Sequence, residues 1–283
     1  MIKIAIQKKG RLSEDSIELL AHCGIRFSKA DNKLKATAYN FPLEFLFLRD
    51  DDIPGYVADG VADLGIVGEN VLLESQCRVD VQDKLGFGKC RLSIAVPNAF
   101  EYRTLQDLAG QRIATSYPHL LSQYLREKGV EARIHEISGS VEIAPGIGLA
   151  DAICDLVSSG STLISNGLKE AEVILKSEAV LISHRELDAE KQRILADLRF
   201  RIQSVMRGRN YKYILLNAPN DRLDAITRLL PGIKSPTVMP LKDEGWSSLH
   251  SVVQEHAFWE VIGQLRQAGA EGILVVPIEK IIE

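Results

Sequence analysis

The chain has 283 residues, of which 46% are hydrophobic and 25% charged, a balance typical of globular proteins and unlike that of disordered or fibrous ones. The length exceeds that of one typical domain and predicts two or three domains. A formal net charge of −4 argues against nucleic acid as a main partner, because a surface that follows a phosphate backbone usually makes the whole domain basic.

Export and membrane signals are not evident in the sequence. The N-terminal MIKIAIQKKGRL lacks the long apolar segment of a signal peptide, and no window approaches the run of about 18 apolar residues that spans a bilayer. Cys23, Cys77, Cys90 and Cys154 are scattered without a C-x-x-C pair, which favours reduced, buried thiols over a disulfide framework or a zinc site. We therefore expect a cytoplasmic protein without a membrane partner.

The first part of the chain alternates short apolar strands with helices. In chain order, the pattern predicts a strand at IKIAIQ, a helix at SIELLAHCG, strands at KLKATAY and LEFLFLR, a helix at DIPGYVADG, a strand at DLGIVG and a helix at ENVLLES. Ser13 is expected to cap the first helix and Gly24 to end it. Alternating elements of this size predict a parallel α/β layer.

A second α/β set begins at the strand CRLSIAVP. The predicted order is a strand at RIATS, a helix at YPHLLSQYLREKG, a strand at EARIHEIS, a helix at SVEIAPGIGLA, a strand at ADAICDLV, a helix around LISNGLKEA, two strands within EVILKSEAVLISH and a long helix at RELDAEKQRILADLRFRIQSVM. We expect two lobes, residues 1–97 with 178–206 and residues 98–177, around a ligand-binding cleft. Periplasmic-type binding proteins have the same arrangement.

The last part, residues 207–283, changes character. It predicts strands at YKYILLNA, SPTVMPL, SSLHSVVQ and EGILVVPIEKII, with helices at DRLDAITRLLPG and HAFWEVIGQLRQAG. The order βαββαβ is that of a ferredoxin-like, ACT-like domain. Domains of this kind often bind small regulatory molecules, although the fold alone does not establish such a role.

One stretch, ADAICDLVSSGSTL, combines two carboxylates with a run of small residues. Residues two apart on a strand share a face, so Asp151 and Asp155 would project together, and two carboxylates suit the vicinal hydroxyls of a ribose. The small residues that follow allow backbone N–H groups and a helix N-terminus to approach an anion; they are Ser158, Ser159, Gly160, Ser161 and Thr162. The motif predicts binding of ribose 5-phosphate, with a polar turn capped by Thr162 as the alternative.

This motif resembles the phosphoribosyl-pyrophosphate motif of ATP phosphoribosyltransferase. Other stretches match the same family in order: QKKGRL, RDDDIPGYVADGVADLGIVGENVL, GKCRLSIAVP, RIATSYPHLL, LLPGIKSPTVMPL and ILVVPIEK. The matches cover nearly the whole chain, including the C-terminal domain of the family's long form. The resemblance implies the committed step of histidine biosynthesis, in which N1 of ATP attacks C1 of phosphoribosyl pyrophosphate and pyrophosphate leaves.

The resemblance also implies a role for particular residues. It places the 5-phosphate in the Ser158–Thr162 loop and the ribose hydroxyls on Asp151 and Asp155, with Glu142 as a neighbour. Adenine N1 already carries a lone pair, so the reaction requires no Ser/His/Asp relay. Alignment of the two substrates and stabilisation of charge at the breaking bond are the expected sources of catalysis.

Basic residues are expected to hold the leaving pyrophosphate. Arg11 and Arg49 are the first candidates, and either Lys8 or Lys9 faces the cleft; Arg91 is a weaker candidate that could instead belong to the strands between the lobes. Mg²⁺ is the expected cofactor, held mainly by substrate phosphates, so no dedicated protein metal site is predicted.

Further residues are assigned by the resemblance to the nucleotide and to regulation. Glu69, Asn70 and Tyr117 are expected at the nucleotide, where Tyr117 would stack on adenine. The C-terminal domain would bind histidine as a feedback inhibitor, and AMP or ADP are further candidate ligands. The matching positions for histidine are Asn217, Ile233, Thr237 and Val252. Members of this family form homo-oligomers, from dimers to hexamers.

Other classes of function remain alternatives at this point. A solute-binding module also has two lobes around a cleft, but the missing signal peptide and the Asp155 motif argue against it. A catalytically silent regulatory relative would be expected to lose the phosphate loop or Arg11, and both are present. An ordinary base phosphoribosyltransferase typically has adjacent acidic residues, whereas three residues separate Asp151 from Asp155.

Overall fold

A computed structural model describes residues 1–28, 34–230, 232 and 235–282. The chain forms two compact units: residues 1–18 with 25–195, and residues 19–24 with 196–283. Within the described residues, no helix combines the length and apolar character needed to cross a membrane.

The first sheet of the larger unit is mixed, and the predicted parallel α/β layer is found in its centre. Its strands are β1 (Ile2–Gln7), β2 (Lys35–Thr37), β3 (Leu43–Leu48), β4 (Leu64–Gly68), β5 (Asp80–Lys84) and β11 (Ala179–Ser183), in the order β2-β3-β1-β4-β11-β5. Strands β1, β3 and β4 run parallel, and β2, β11 and β5 add antiparallel pairings. The helices of this part are α1 (Arg11–His22), α2 (Ile53–Ala58) and α3 (Glu69–Ser75).

Branched apolar side chains stabilise this first sheet. Val57 of α2 and Val71 of α3 pack with Ala5, Val67 and Val180 in one buried cluster. The apolar character of DLGIVG is explained by its position, since β4 lies between β1 and β11 inside the sheet.

The second sheet of the larger unit is mixed. Its strands are β6 (Cys90–Pro97), β7 (Arg112–Thr115), β8 (Arg133–Glu136), β9 (Ala152–Val157) and β10 (Leu168–Ser177), in the order β10-β6-β9-β7-β8. Strands β7, β8 and β9 are parallel, whereas β6 runs antiparallel to both β9 and β10. The helices α4 (Pro118–Glu127) and α5 (Ser161–Ser165) belong to this part. Residues 90–97, expected in the first lobe, therefore pair within the second sheet.

Several expected local structures differ from those observed. Ser13 does not cap α1, because the helix begins two residues earlier, at Arg11, and Ser13 is buried inside it. The expected helix at 140–150 is a single 3₁₀ turn, Val141–Ile143, which follows Ser140 in a left-handed conformation (φ 50°). Residues 168–171, expected to be helical, pair with β6 in strand β10.

The smaller unit confirms the ferredoxin-like prediction. After α6 (Ala189–Arg209), its elements are β12 (Tyr211–Pro219), α7 (Leu223–Leu229), β13 (Thr237–Pro240), β14 (Trp246–Gln254), α8 (Phe258–Gln267) and β15 (Glu271–Pro277). The sheet is antiparallel with the order β13-β14-β12-β15. Leu216, Leu249 and Leu265 belong to the core between this sheet and the two helices. The other face of the sheet is not part of that core.

Candidate active site

The predicted anion-binding loop follows β9 and leads directly into α5. Gly160 takes a left-handed conformation (φ 83°) immediately before the helix, which a residue with a side chain rarely adopts. The hydroxyls of Ser159 and Ser161 lie 3.0 Å apart across the turn. The loop and Asp155 line a cavity of about 140 Å³, to which Glu142 also contributes. The structure thus brings together Glu142, Asp155, residues 158–160 and Thr162 around one cavity.

Asp155 occupies a partly buried position next to this loop. Its Oδ1 accepts a hydrogen bond from the Leu156 backbone N–H at 2.7 Å. Burial raises the pKa of the Asp155 carboxyl above its ordinary value, and the charge of nearby Glu142 raises it further, whereas the Leu156 hydrogen bond lowers it. The site therefore holds a carboxylate that its surroundings solvate poorly.

Asp151 directly precedes β9, at the end of the strand opposite the loop. Asp151 and Asp155 are four positions apart along the extended chain, which corresponds to roughly 13 Å. Its carboxylate accepts bonds from Arg112 at Nε (3.0 Å), Nη2 (2.8 Å) and the backbone N (2.9 Å). Strand alternation predicts a shared face for the two aspartates, but a separation of roughly 13 Å is too long for both to bind adjacent hydroxyls of one ribose.

The predicted basic residues gather at the carboxyl end of the first sheet. Lys8 and Lys9 follow β1 and precede Arg11 at the start of α1, while Arg49 directly follows β3. The two strands are adjacent, and the Lys8 N–H donates to the Leu48 carbonyl at 2.8 Å. Lys8 is half-buried, whereas Lys9, Arg11 and Arg49 are exposed. Carboxyl ends of parallel strands are the usual place for a ligand in such sheets.

Asn70 joins the two sheets through a chain of hydrogen bonds. The Ser177 hydroxyl donates to Asn70 Oδ1 (2.8 Å) and accepts from the Asn70 backbone N–H (3.0 Å). Asn70 Nδ2 donates to the Tyr117 hydroxyl at 3.0 Å. Burial raises the pKa of Tyr117 far above its ordinary value, so the phenol stays neutral. Asn70 therefore fixes the orientation of Tyr117.

A second cavity, of about 460 Å³, lies beside Tyr117 and is lined by both lobes. Its polar lining is rich in carboxylates and includes Asp50, Asp51, Glu74, Ser116 and Glu136. Burial and the neighbouring Asp50 and Asp52 raise the pKa of Asp51. The volume of the cavity lies in the range of small-molecule sites, and Tyr117 forms part of its wall.

Glu69 lies apart from this cavity. It pairs with Lys84 at 3.0 Å and lines a third cavity, of about 440 Å³, together with Arg91 and Ser158. Glu69 and Asn70, which sequence similarity assigned to one nucleotide contact, thus have different surroundings. Glu69 lines a cavity with Ser158, and Asn70 holds Tyr117.

Glu74 is a residue of the site that sequence reasoning missed. From α3 of the first lobe, its two carboxylate oxygens accept the backbone N–H groups of His119 (2.8 Å) and Leu120 (2.9 Å) at the start of α4 in the second lobe. Nε2 of Gln76 lies 2.7 Å from Nε2 of His119. A helix cap supplied by another lobe leaves no local sequence signature, which explains the omission.

The positions that the family resemblance assigned to histidine binding belong to the smaller unit. Asn217 lies on β12, Thr237 on β13 and Val252 on β14, while Ile233 lies outside the described residues. Thr237 pairs with His250 and Asn217 with Ser248, so the three described residues share the sheet face opposite the helices. Along β14, the positions level with Asn217 and Val252 are roughly 13 Å apart.

Comparison with known proteins places both parts of the chain in one family. The family model described as HisG, ATP phosphoribosyltransferase, matches residues 49–204, and that of the HisG C-terminal domain matches residues 208–280. Curated relatives named ATP phosphoribosyltransferase include those of Cytophaga hutchinsonii, 64% identical over 283 residues, and of Bacteroides thetaiotaomicron, 55% identical over 282 residues. These matches cover 100% of this chain and 99% and 100% of the two relatives, respectively.

A solved structure supports the same relationship. The chain resembles an ATP phosphoribosyl transferase (HisG:HisZ) complex from Thermotoga maritima, with a TM-score of 0.63 and 28% identity. That match covers 73% of this chain and 99% of the other. The chain therefore belongs to the ATP phosphoribosyltransferase family and is a pentosyltransferase of the first step of histidine biosynthesis, using ATP and phosphoribosyl pyrophosphate.

Proposed function

We propose that the cavity lined by Glu142, Asp155, residues 158–160 and Thr162, with the adjoining Ser161, binds the ribose 5-phosphate part of phosphoribosyl pyrophosphate. The observation that carries this proposal is the direct junction of a half-buried carboxylate with a loop of small hydroxyl residues. The phosphate would lie against the loop, and Asp155 would accept hydrogen bonds from the ribose hydroxyls. Ribose hydroxyls would replace the water that burial removes from this carboxylate.

Arg11 and Arg49, with Lys8 and Lys9, are proposed to bind the leaving pyrophosphate. Their support is the shared position at the carboxyl ends of β1 and β3. Guanidinium groups bind phosphate oxygens through two parallel hydrogen bonds and stabilise the charge that develops as the bond from C1 to oxygen breaks. Lys8 and Lys9 differ in burial, and the half-buried Lys8 is the stronger candidate for substrate contact.

The cavity beside Tyr117 is proposed to receive the adenine of ATP. Tyr117 would stack on the base, while Asn70 keeps the phenol in place. The lone pair of N1 attacks C1, and the electron pair of the broken bond leaves with pyrophosphate. The adenine ring then becomes positively charged, and the carboxylates of Asp50, Asp51 and Glu136 would stabilise that charge. Holding two substrates in one orientation provides the remaining rate enhancement.

A divalent metal is required by this enzyme family, and we propose Mg²⁺. Among the described residues, no group of three His, Cys, Asp or Glu side chains is arranged to hold a metal ion. The proposed ion keeps several waters and binds mainly to the phosphates of the substrates. When bound, Mg²⁺ would neutralise pyrophosphate oxygens. The four free cysteines fit a reducing compartment, and we propose a cytoplasmic location.

Feedback inhibition by histidine is proposed for the smaller unit. Asn217, Thr237 and Val252 share its open sheet face, and Ile233 completes the set from the sequence. Asn217 and Val252 are far apart on the sheet. Within a single chain, one histidine would therefore contact Thr237 together with either Asn217 or Val252. AMP or ADP are proposed as further ligands, and a homo-oligomer between dimer and hexamer as the assembly.

The proposed site is tested by steady-state kinetics of the full-length protein with ATP, phosphoribosyl pyrophosphate and Mg²⁺, following product absorbance. We expect phosphoribosyl-ATP and pyrophosphate in equal amounts. The Arg11→Ala and Arg49→Ala variants should each lower kcat more than tenfold, on the order of one lost charge-assisted hydrogen bond. Unchanged kcat in both variants would remove them from the pyrophosphate site.

A further inference from the structure

Arg91 connects the loop at residues 158–162 to strand β10, at the edge of the second sheet. It is the second residue of β6 and pairs in register with Val157, the last residue of β9. From this position its Nη1 donates to the carbonyl oxygen of Ser158 at 3.0 Å. Ser158 is the first residue of the loop, so the bond fixes the point at which the chain leaves the sheet.

The guanidinium of Arg91 is itself held on its other side. Its Nε and Nη2 donate to the two carboxylate oxygens of Glu170 on β10, at 2.5 and 2.6 Å. The hydroxyl of Ser93, fully buried, donates to the same carboxylate at 2.7 Å. Arg91 lowers the pKa of Glu170, and Ser93 lowers it further, so the carboxylate remains charged. Arg–carboxylate forks of this kind are the more strongly oriented ion pairs in proteins.

We propose that Arg91 is a positioning residue for the phosphate loop: Glu170 and Ser93 orient its guanidinium, which fixes Ser158 and thereby the loop backbone. All three guanidinium nitrogens bind protein groups, through one fork and one carbonyl. Three of its five N–H groups are engaged in this way, and we expect Arg91 to act on the substrate through the loop. This inference rests on the proposed binding of the 5-phosphate by residues 158–162.

Arg112 provides a matched comparison within the same sheet. It makes the same kind of fork, to Asp151, and its Nη1 also donates to a carbonyl, that of Gly148, at 3.0 Å. Arg112 lies at the amino end of β7, away from the phosphate loop. A lysine at either position keeps the positive charge and loses the fork, so the two variants differ mainly in location.

The experiment compares Arg91→Lys, Glu170→Gln and Arg112→Lys in the full-length protein. We expect Arg91→Lys and Glu170→Gln each to raise KM for phosphoribosyl pyrophosphate about tenfold, with KM for ATP within about twofold. In the double variant, Arg91→Lys with Glu170→Gln, the rise in KM should not exceed that of the more affected single variant, because both changes release the same loop. Arg112→Lys should leave both KM values unchanged.

Amide hydrogen exchange of residues 158–162 supplies a readout that does not depend on turnover. Exchange should be faster in Arg91→Lys and Glu170→Gln than in the wild type or Arg112→Lys. Unchanged exchange in both variants overturns the proposal. An effect of Arg91→Lys on KM with none from Glu170→Gln also overturns it, because Arg91 would then contact substrate directly. Exchange in the loop could respond as expected while the wild-type protein does not bind phosphoribosyl pyrophosphate. That result would overturn the proposed function and leave the positioning role of Arg91 intact.

Discussion

Asp151 and Asp155 show how two identical residues on one strand face acquire opposite properties. Arg112 lowers the pKa of Asp151 through side-chain and backbone hydrogen bonds, whereas burial raises the pKa of Asp155. Period-two alternation predicted their shared face from sequence. Alternation could not predict that Arg112, 39 residues earlier, binds the carboxylate of Asp151. That contact depends on the pairing of β7 with β9.

The raised pKa of Asp155 predicts that its negative charge destabilises the folded protein at neutral pH. A carboxyl whose folded pKa lies above its unfolded pKa binds protons more readily when folded, so stability falls as pH rises between the two values. Asp155→Asn should therefore raise Tm at pH 7 by about 2 °C while reducing activity. The gain should shrink at pH 4. A lower Tm at pH 7, measured by calorimetry, would contradict this account of the carboxylate.

At the scale of elements, the turn between β9 and α5 depends on the backbone of Gly160. A Cβ at this position would lie 3.9 Å from Val157, so space is available and the left-handed φ is the obstacle. Gly160→Ala should cost about 1 kcal/mol of stability and raise KM for phosphoribosyl pyrophosphate. Gly129→Ala is the control, since Gly129 has φ 66° with open space around it, at the end of α4. Equal KM values in the two variants would argue against the loop as the phosphate site.

The Glu74 cap on α4 predicts an effect on the nucleotide rather than on the ribose phosphate. Glu74→Gln keeps one acceptor oxygen and loses the charge that favours a helix N-terminus. We expect KM for ATP to rise up to about tenfold, because Tyr117 directly precedes α4. Asp107→Asn is a matched control: Asp107 also accepts two backbone N–H groups, from Arg103 and Thr104, within one lobe. An equal rise in both variants would refute a specific role for the interlobe cap.

Sequence patterns predicted most elements because apolar periodicity and Gly positions are local. The predictions were wrong where pairing between distant strands outweighs the local preference of a segment. LKEA has helix-forming residues, yet residues 168–171 extend β10 along β6. Strand β5, DVQDK, is polar and largely exposed at a sheet edge, so it carries no alternation to detect. Arg91, a weak candidate from sequence, gains its meaning from Glu170, which lies 79 residues away along the chain.

At the scale of the whole molecule, the larger unit holds the proposed substrate cavities and the smaller unit the proposed histidine positions. Inhibition would require two global states with different affinity for histidine. Thr237→Val keeps the side-chain shape and removes its hydroxyl, so the inhibition constant for histidine should rise about tenfold. Uninhibited kcat should change by less than about twofold. Wild-type sensitivity to histidine in this variant, measured in the same assay, would exclude Thr237 from the effector site.

Asp155 and residues 158–162 are proposed to bind phosphoribosyl pyrophosphate, whereas Asp151 is proposed to have a structural role. Titration calorimetry of phosphoribosyl pyrophosphate with Mg²⁺ into the wild type, Asp155→Asn and Asp151→Asn tests this proposal most directly. The account predicts at least about tenfold weaker binding for Asp155→Asn and a Kd within about twofold of wild type for Asp151→Asn, because Asp151 is already bound to Arg112. Wild-type affinity in Asp155→Asn, or equal weakening in both variants, would contradict it.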